Sequence, residues 1–143
     1  MSNFWNSAIT KDEEDIKTDN HPQRVTIKHK VIPSEEAHEL AIDIYETEDK
    51  IYIVAPIAGV KGTDIEILIE EDVAFIKGNR KNPFKEYEES LYSSECFWGN
   101  FERKFTLPKS VDTREISATF RNGILLIEAP RISPAGVKKI KIN

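Results

Sequence analysis

The sequence predicts an all-β protein built as an antiparallel β-sandwich, and three observations point there. Apolar residues through the middle of the chain recur with period two, the mark of strands with one buried face. Turn-forming residues interrupt them every 8–12 residues or so. No window holds an apolar stripe at helical spacing.

Taken in order, Leu40, Ile42 and Ile44 share one strand face, with Asp43 on the other. The acidic turn Glu48-Asp49-Lys50 leads into a strand begun by Ile51 and Ile53, which Pro56 and Gly59 break. Gly62 marks a further turn. Ile65, Ile67 and Ile69 alternate with Glu66, Leu68 and Glu70, and the Glu70-Glu71-Asp72 turn opens a strand over Val73 to Ile76. From Gly78 to Ser90 the chain is polar and contains Pro83, so a long loop is expected, followed by a short strand over Leu91 to Glu95. Phe101, Arg103 and Phe105 form the next strand, ended by Pro108; Ile116, Ala118 and Phe120 form another. Asn122-Gly123 is a hairpin signal, because both residues tolerate the positive φ of a type I′ turn. Residues 124–129 close the series at Pro130. Many short strands with close turns make the sandwich immunoglobulin-like. The chain divides into a variable N-terminal arm (1–37), the sandwich domain (38–130) and a C-terminal extension (131–143).

Composition excludes several functions. The net charge of −5, with Lys and Arg scattered among Asp and Glu, gives no electrostatic basis for binding nucleic acid or an anionic membrane. The longest apolar run, 51–60, is about half of what a membrane span needs. No signal peptide is readable, and the single cysteine excludes an internal disulfide framework, so a cytoplasmic protein is expected.

Chemistry is also scarce. His21, His29 and His38 lack the tight local pairing that zinc sites draw on, and no metal or cofactor is expected. Cys96 follows Glu95, an acidic neighbour that does not favour a reactive thiolate, and is expected as a small, partly buried thiol. Gly59-Val60-Lys61-Gly62 lacks the spacing of a phosphate loop. No stretch supplies nucleophile, base and oxyanion donor together, and an enzyme is not expected.

Four features in order resemble the small heat-shock protein, or α-crystallin, family. Residues 99–108, Gly-Asn-Phe-Glu-Arg-Lys-Phe-Thr-Leu-Pro, resemble the family's Gly-x-Phe-x-Arg-x-Phe-x-Leu-Pro strand. Residues 118–125 resemble its Ala-x-x-x-Asn-Gly-Val-Leu hairpin, with Ile124 in place of Val. Ile140-Lys141-Ile142 is similar to its Ile-x-Ile signature, and the span from Gly78 to Gly99 is similar in length to that of the bacterial, plant and archaeal branch. The resemblance covers the chain from about Glu39 onward.

The resemblance implies an ATP-independent chaperone (holdase) that binds non-native client proteins and works as dimers assembled into a larger homo-oligomer. Ile140 and Ile142, pointing the same way in an extended strand, would insert into an apolar groove on another subunit. The resemblance places that groove between the Ile65/Ile67/Ile69 strand and the Ile116/Ala118/Phe120 strand; the alternative is a loose terminus. Arg103 shares a face with Phe101 and Phe105. If that face is inward, its guanidinium needs a carboxylate or carbonyl partner; otherwise its head reaches solvent. The resemblance implies an ion pair near the dimer contact. Residues 91–95, with Leu91, Tyr92 and Glu95, resemble an exchanged strand that adds to the edge near Leu40 to Tyr45 of a second subunit; the alternative is a loop folded onto its own sandwich. Phe4, Trp5 and Ile9 suit either client binding or assembly.

Two other functions compete: a monomeric adaptor sandwich for one partner, and an enzyme or carbohydrate-binding sandwich. The first needs neither the Ile-x-Ile terminus nor the long loop. The second needs convergent polar residues or an aromatic platform, and the sequence offers neither.

Overall fold

The computed structural model describes residues 22–28, 37–132 and 141–142. Phe4, Trp5, Ile9, His21, His29 and Ile140 lie outside them.

Among the described residues, ten strands run in chain order: β1 (Gln23–Arg24), β2 (Ile27–Lys28), β3 (His38–Glu39), β4 (Asp43–Glu46), β5 (Lys50–Pro56), β6 (Ile65–Glu70), β7 (Val73–Arg80), β8 (Gly99–Thr106), β9 (Ser117–Arg121) and β10 (Ile124–Pro130). They form two five-stranded sheets, ordered β1-β9-β10-β5-β4 and β2-β6-β7-β8-β3. The core lies between them. Ile51, Ile53, Ala55, Ile57, Ile67, Ile76, Leu125 and Ala129 are fully buried there, each large side chain contributing about 1.5–3 kcal/mol of transfer free energy.

The hairpin at Asn122-Gly123 is as the sequence predicts: both residues have positive φ, 51° and 73°, and Arg121 pairs with Ile124 across them. A second non-glycine residue in the left-handed region, Glu71 at φ 56°, turns the chain from β6 into β7. Asp112 accepts hydrogen bonds from the Arg114 amide and guanidinium, which holds its carboxyl below the usual carboxylate range.

Several expectations need correction. The strand from Val73 does not give way to a loop at Gly78; β7 runs on to Arg80. Gly78 lies opposite Phe101 in the ladder, and a Cβ there would meet the Phe101 ring at 2.2 Å, so this glycine marks close packing rather than a turn. Leu40, Ile42 and Ile44 do not share a face. Leu40 is buried, Ile42 half-buried and Ile44 exposed, because the chain crosses between sheets from β3 to β4. Ile116 precedes β9, at the end of a 3₁₀ turn over Thr113–Glu115, and is half-buried. Residues 91–95 form no strand in the single chain; a 3₁₀ turn over Lys85–Ser90 precedes them and all five are exposed. Cys96 is exposed on the same loop, not partly buried.

The sandwich is not purely antiparallel. Residues 22–28 cross from one sheet to the other, as do residues 38–46. A segment running in one direction past two sheet edges of opposite sense must be antiparallel to one and parallel to the other. Hence β1 is antiparallel to β9 while β2 is parallel to β6, and β4 is antiparallel to β5 while β3 is parallel to β8.

Candidate functional site

Both crossings close a side of the sandwich, and the sequence-predicted groove residues and Arg103 lie there. Consider first the side bounded by β6 and β9. Ile65, Ile67 and Ile69 on β6, with Ala118 and Phe120 on β9, are all buried, and Ile116 packs against the same cluster. The two strands belong to opposite sheets, so the space between them is a gap between sheet edges. Residues 22–28 of the same chain lie along it. Gln23 and Arg24 pair with Phe120 and Thr119, the Val25 amide donates to the Ala118 carbonyl at 3.2 Å, and Ile27 pairs with Ile67. Val25 is 4% exposed and joins the core, and Ile27 packs against it. The Gln23 side chain accepts from the Gly62 amide at 2.8 Å, fixing the start of the crossing.

On the opposite side, β4 pairs with β5 and is an edge of its sheet among the described residues. Ile44 is 52% and Tyr45 56% exposed on it. An edge strand carrying exposed apolar side chains offers backbone and side-chain contacts together to another strand. The loop between β7 and β8 carries Leu91, 60% exposed, and Tyr92, fully exposed. Arg80 anchors the base of this loop: its Nε donates to the Ala58 carbonyl at 2.7 Å and its Nη1 to the Phe97 carbonyl at 3.4 Å. Phe97 stacks on His38 with ring centroids 4.2 Å apart, tying the loop's far end to β3.

Arg103 lies on the inward face of β8, opposite Ile76. Its guanidinium is partnered, while the side chain remains 31% exposed. Nη1 donates to Glu39 Oε1 at 2.9 Å and to the Leu40 carbonyl at 3.4 Å, while the buried Nε has no partner among the described residues. Both acceptors come from the crossing at this side, and its Leu40 is buried beside them. The sequence identified the need for a carboxylate or carbonyl but not Glu39 itself, since pairing across distant strands leaves no local signal.

Among the described residues, no group of three or more His, Cys, Asp or Glu could hold a metal ion. In the same residues no helix is long and apolar enough to cross a membrane. Of the remaining candidates, Glu95 is exposed beside Cys96 and Ile142 is 95% exposed.

The alternation of Val25, Ile27 and Val31 with Thr26, Lys28 and Lys30 predicts a short strand in the N-terminal arm, but its place between β6 and β9 is not read from the sequence, though a signal exists. Arg24-Val25-Thr26-Ile27-Lys28 repeats the pattern of Lys139-Ile140-Lys141-Ile142: two branched apolar residues at i, i+2 among basic ones.

The profile of the Hsp20/alpha crystallin family matches residues 43–143. A probable 15 kDa heat shock protein of Leptospira interrogans is 37% identical over 102 residues, covering 71% of this chain and 76% of that protein. A 17.6 kDa class II heat shock protein of Arabidopsis thaliana is 32% identical over 136 residues, 93% of this chain and 84% of that one, so the likeness reaches into the N-terminal arm. Among solved structures, a small heat-shock protein from Xylella fastidiosa, described as having a distinct high order structure, superposes with a TM-score of 0.64 at 29% identity. That match covers 73% of this chain and 95% of that one.

Proposed function

We propose that this chain, which belongs to the Hsp20/alpha crystallin family, is an ATP-independent holdase of the cytoplasm. It captures unfolding proteins before they aggregate and works as a dynamic homo-oligomer assembled from dimers. The observation that carries this reading is the open side of the sandwich, where an edge strand with exposed Ile44 and Tyr45 accompanies a loop with exposed Leu91 and Tyr92. In a dimer the 91–95 segment of one copy adds to β4 of the other, pairing backbone groups that a lone chain leaves at an edge. Arg103, Glu39 and Leu40 lie under that contact and set the position of the crossing.

Dimers then join through Ile140 and Ile142, which enter the gap between β6 and β9 of a neighbouring copy, among Ile65, Ile67, Ile69, Ile116, Ala118 and Phe120. Burying two isoleucines is worth roughly 3–6 kcal/mol before ordering costs, and fixing the extension consumes much of that. One arm therefore binds weakly. Repeated around a closed assembly, such arms hold through effective concentration while each still detaches. Phe4, Trp5 and Ile9 supply apolar surface to clients when subunits loosen. The net charge of −5 argues against nucleic acid and anionic membranes as partners.

Light scattering of an aggregating client, run without nucleotide, tests the activity: suppression at near-stoichiometric subunit ratios is expected. Absence of suppression points instead to an adaptor for one partner. For the assembly, Ile140→Ala with Ile142→Ala is expected to reduce the particle to dimers or other small species by size-exclusion chromatography with light scattering. An unchanged mass defeats the anchor.

A further inference from the structure

The gap assigned above to Ile140 and Ile142 of another copy is already filled from within the same chain. We infer that residues 23–27 are an internal ligand of this groove, and that Val25 and Ile27 compete with the Ile-x-Ile segment of a second copy for it. The inference rests on the anchor reading for the second competitor; the first is seen directly.

Three observations support it. Val25 and Ile27 stand at the i, i+2 spacing of Ile140 and Ile142, with basic neighbours in both cases, the spacing that puts two branched side chains on one face of any extended strand. Backbone pairing runs along both walls of the gap: Gln23 and Arg24 to β9, Val25 to the Ala118 carbonyl, Ile27 to β6. A second strand cannot use the same donors and acceptors. Finally, Val25 is 4% exposed and Ile27 packs against the core cluster, so this chain fills the groove with residues 23–27.

The segment is also held at a defined point. A Cβ on Gly62 would meet Gln23 Oε1 at 2.4 Å and Gln23 Cβ at 3.0 Å, so the backbone at Gly62 is approached as closely as a glycine permits. The Gly62 amide and the Gln23 side-chain oxygen thus form a latch for the crossing. Binding of a second copy's Ile-x-Ile segment requires the latch and both side chains to leave, and the apparent affinity falls by the fraction of chains whose groove is vacant. Displacement also frees residues 23–27 from both sheet edges in the same event.

The test uses the full chain carrying Ile140→Ala and Ile142→Ala, so that its own extension does not interfere, and a fluorescent peptide of residues 137–143. Peptide affinity is measured by anisotropy with and without Val25→Ser plus Ile27→Ser. Vacating the groove is expected to tighten binding roughly tenfold or more. Gln23→Ala, which removes the latch and no core side chain, is expected to tighten it by about two- to fivefold, and carries the test if the double serine variant fails to fold. Equal affinity for every folded variant overturns the competition while leaving the anchor intact. No peptide binding to any of them overturns the anchor and the competition together.

Discussion

The two sides of the sandwich are closed by the same device and finished differently. On each, a short segment leaves one sheet, drops one apolar side chain into the core and pairs with the edge of the other sheet. Val25 does this between β9 and β6, and Leu40 between β8 and β5; both are nearly fully buried. Beyond that point they diverge. The Val25 crossing turns its remaining apolar residue, Ile27, against the core. The Leu40 crossing likewise packs Ile42 against the core but then continues into β4, where Ile44 and Tyr45 are exposed on a sheet edge. One side is therefore filled from within the chain, and on the proposed anchor reading it is vacated before another copy's extension binds. The other leaves a sheet edge open among the described residues, and on the proposed dimer reading it takes a second strand without that step. Under that proposal the two contacts respond to different conditions.

The sharpest way to break this comparison is to remove each plug. Leu40→Ala deletes a buried side chain whose neighbours are held by two sheets, and is expected to cost about 2–4 kcal/mol in denaturant unfolding. Val25→Ala removes less volume from an equally buried position, and about 1–2 kcal/mol is expected. A Val25→Ala cost near zero would mean that the β6–β9 side is not held shut by its crossing.

Arg103→Gly acts on the open side alone. It removes the charge-assisted bond to Glu39 and the bond to the Leu40 carbonyl, leaving β3 without its tether to β8 side chains. Because the Glu39 side chain is 77% exposed and that of Arg103 31%, solvent screens much of the pair. A loss of about 1–2 kcal/mol is expected, together with a smaller oligomer mass as the β4 edge loses its support. Unchanged melting and unchanged mass together would show that Arg103 serves neither fold nor assembly.

What the sequence revealed and what it hid follow from how local each feature is. The hairpin at Asn122-Gly123 was legible because two adjacent residues carry all the conformational information. The strands from Ile51, Ile65 and Phe101 were legible because each keeps one face toward one layer. The end of the strand from Val73 was placed too early because the polarity of residues 78–90 and Pro83 signals a loop, while Gly78, packed against the Phe101 ring on the next strand, carries the ladder on to Arg80. The two crossings broke the period-two rule because consecutive residues there serve different sheets. Leu40 and Ile44 thus look equivalent in sequence yet one is buried and the other exposed. Residues 91–95 present strand chemistry without a strand, since in a lone chain they meet no sheet edge. The groove residues were identified by resemblance, whereas their occupant, residues 23–27, required the pairing of β1 and β2 to be seen.

The finest separation between the two sides comes from substitutions that barely touch stability. Ile44 and Tyr92 are so exposed that Ile44→Lys or Tyr92→Ser is expected to move the unfolding free energy by under about 0.5 kcal/mol. Ile44→Lys places a charge on the β4 edge, a feature that discourages strand addition, and Tyr92→Ser removes the largest side chain the loop can offer to a partner. If residues 91–95 of one copy pair with β4 of another, either change raises the monomer fraction in sedimentation velocity. A combined variant then adds little beyond the stronger of the two, because both remove the same contact. Were the loop instead to serve only its own sandwich, Tyr92→Ser would leave the dimer intact while Ile44→Lys alone weakened it. Neither substitution is expected to alter binding of the 137–143 peptide at the β6–β9 groove, since the side closed from within is reached independently of the open one.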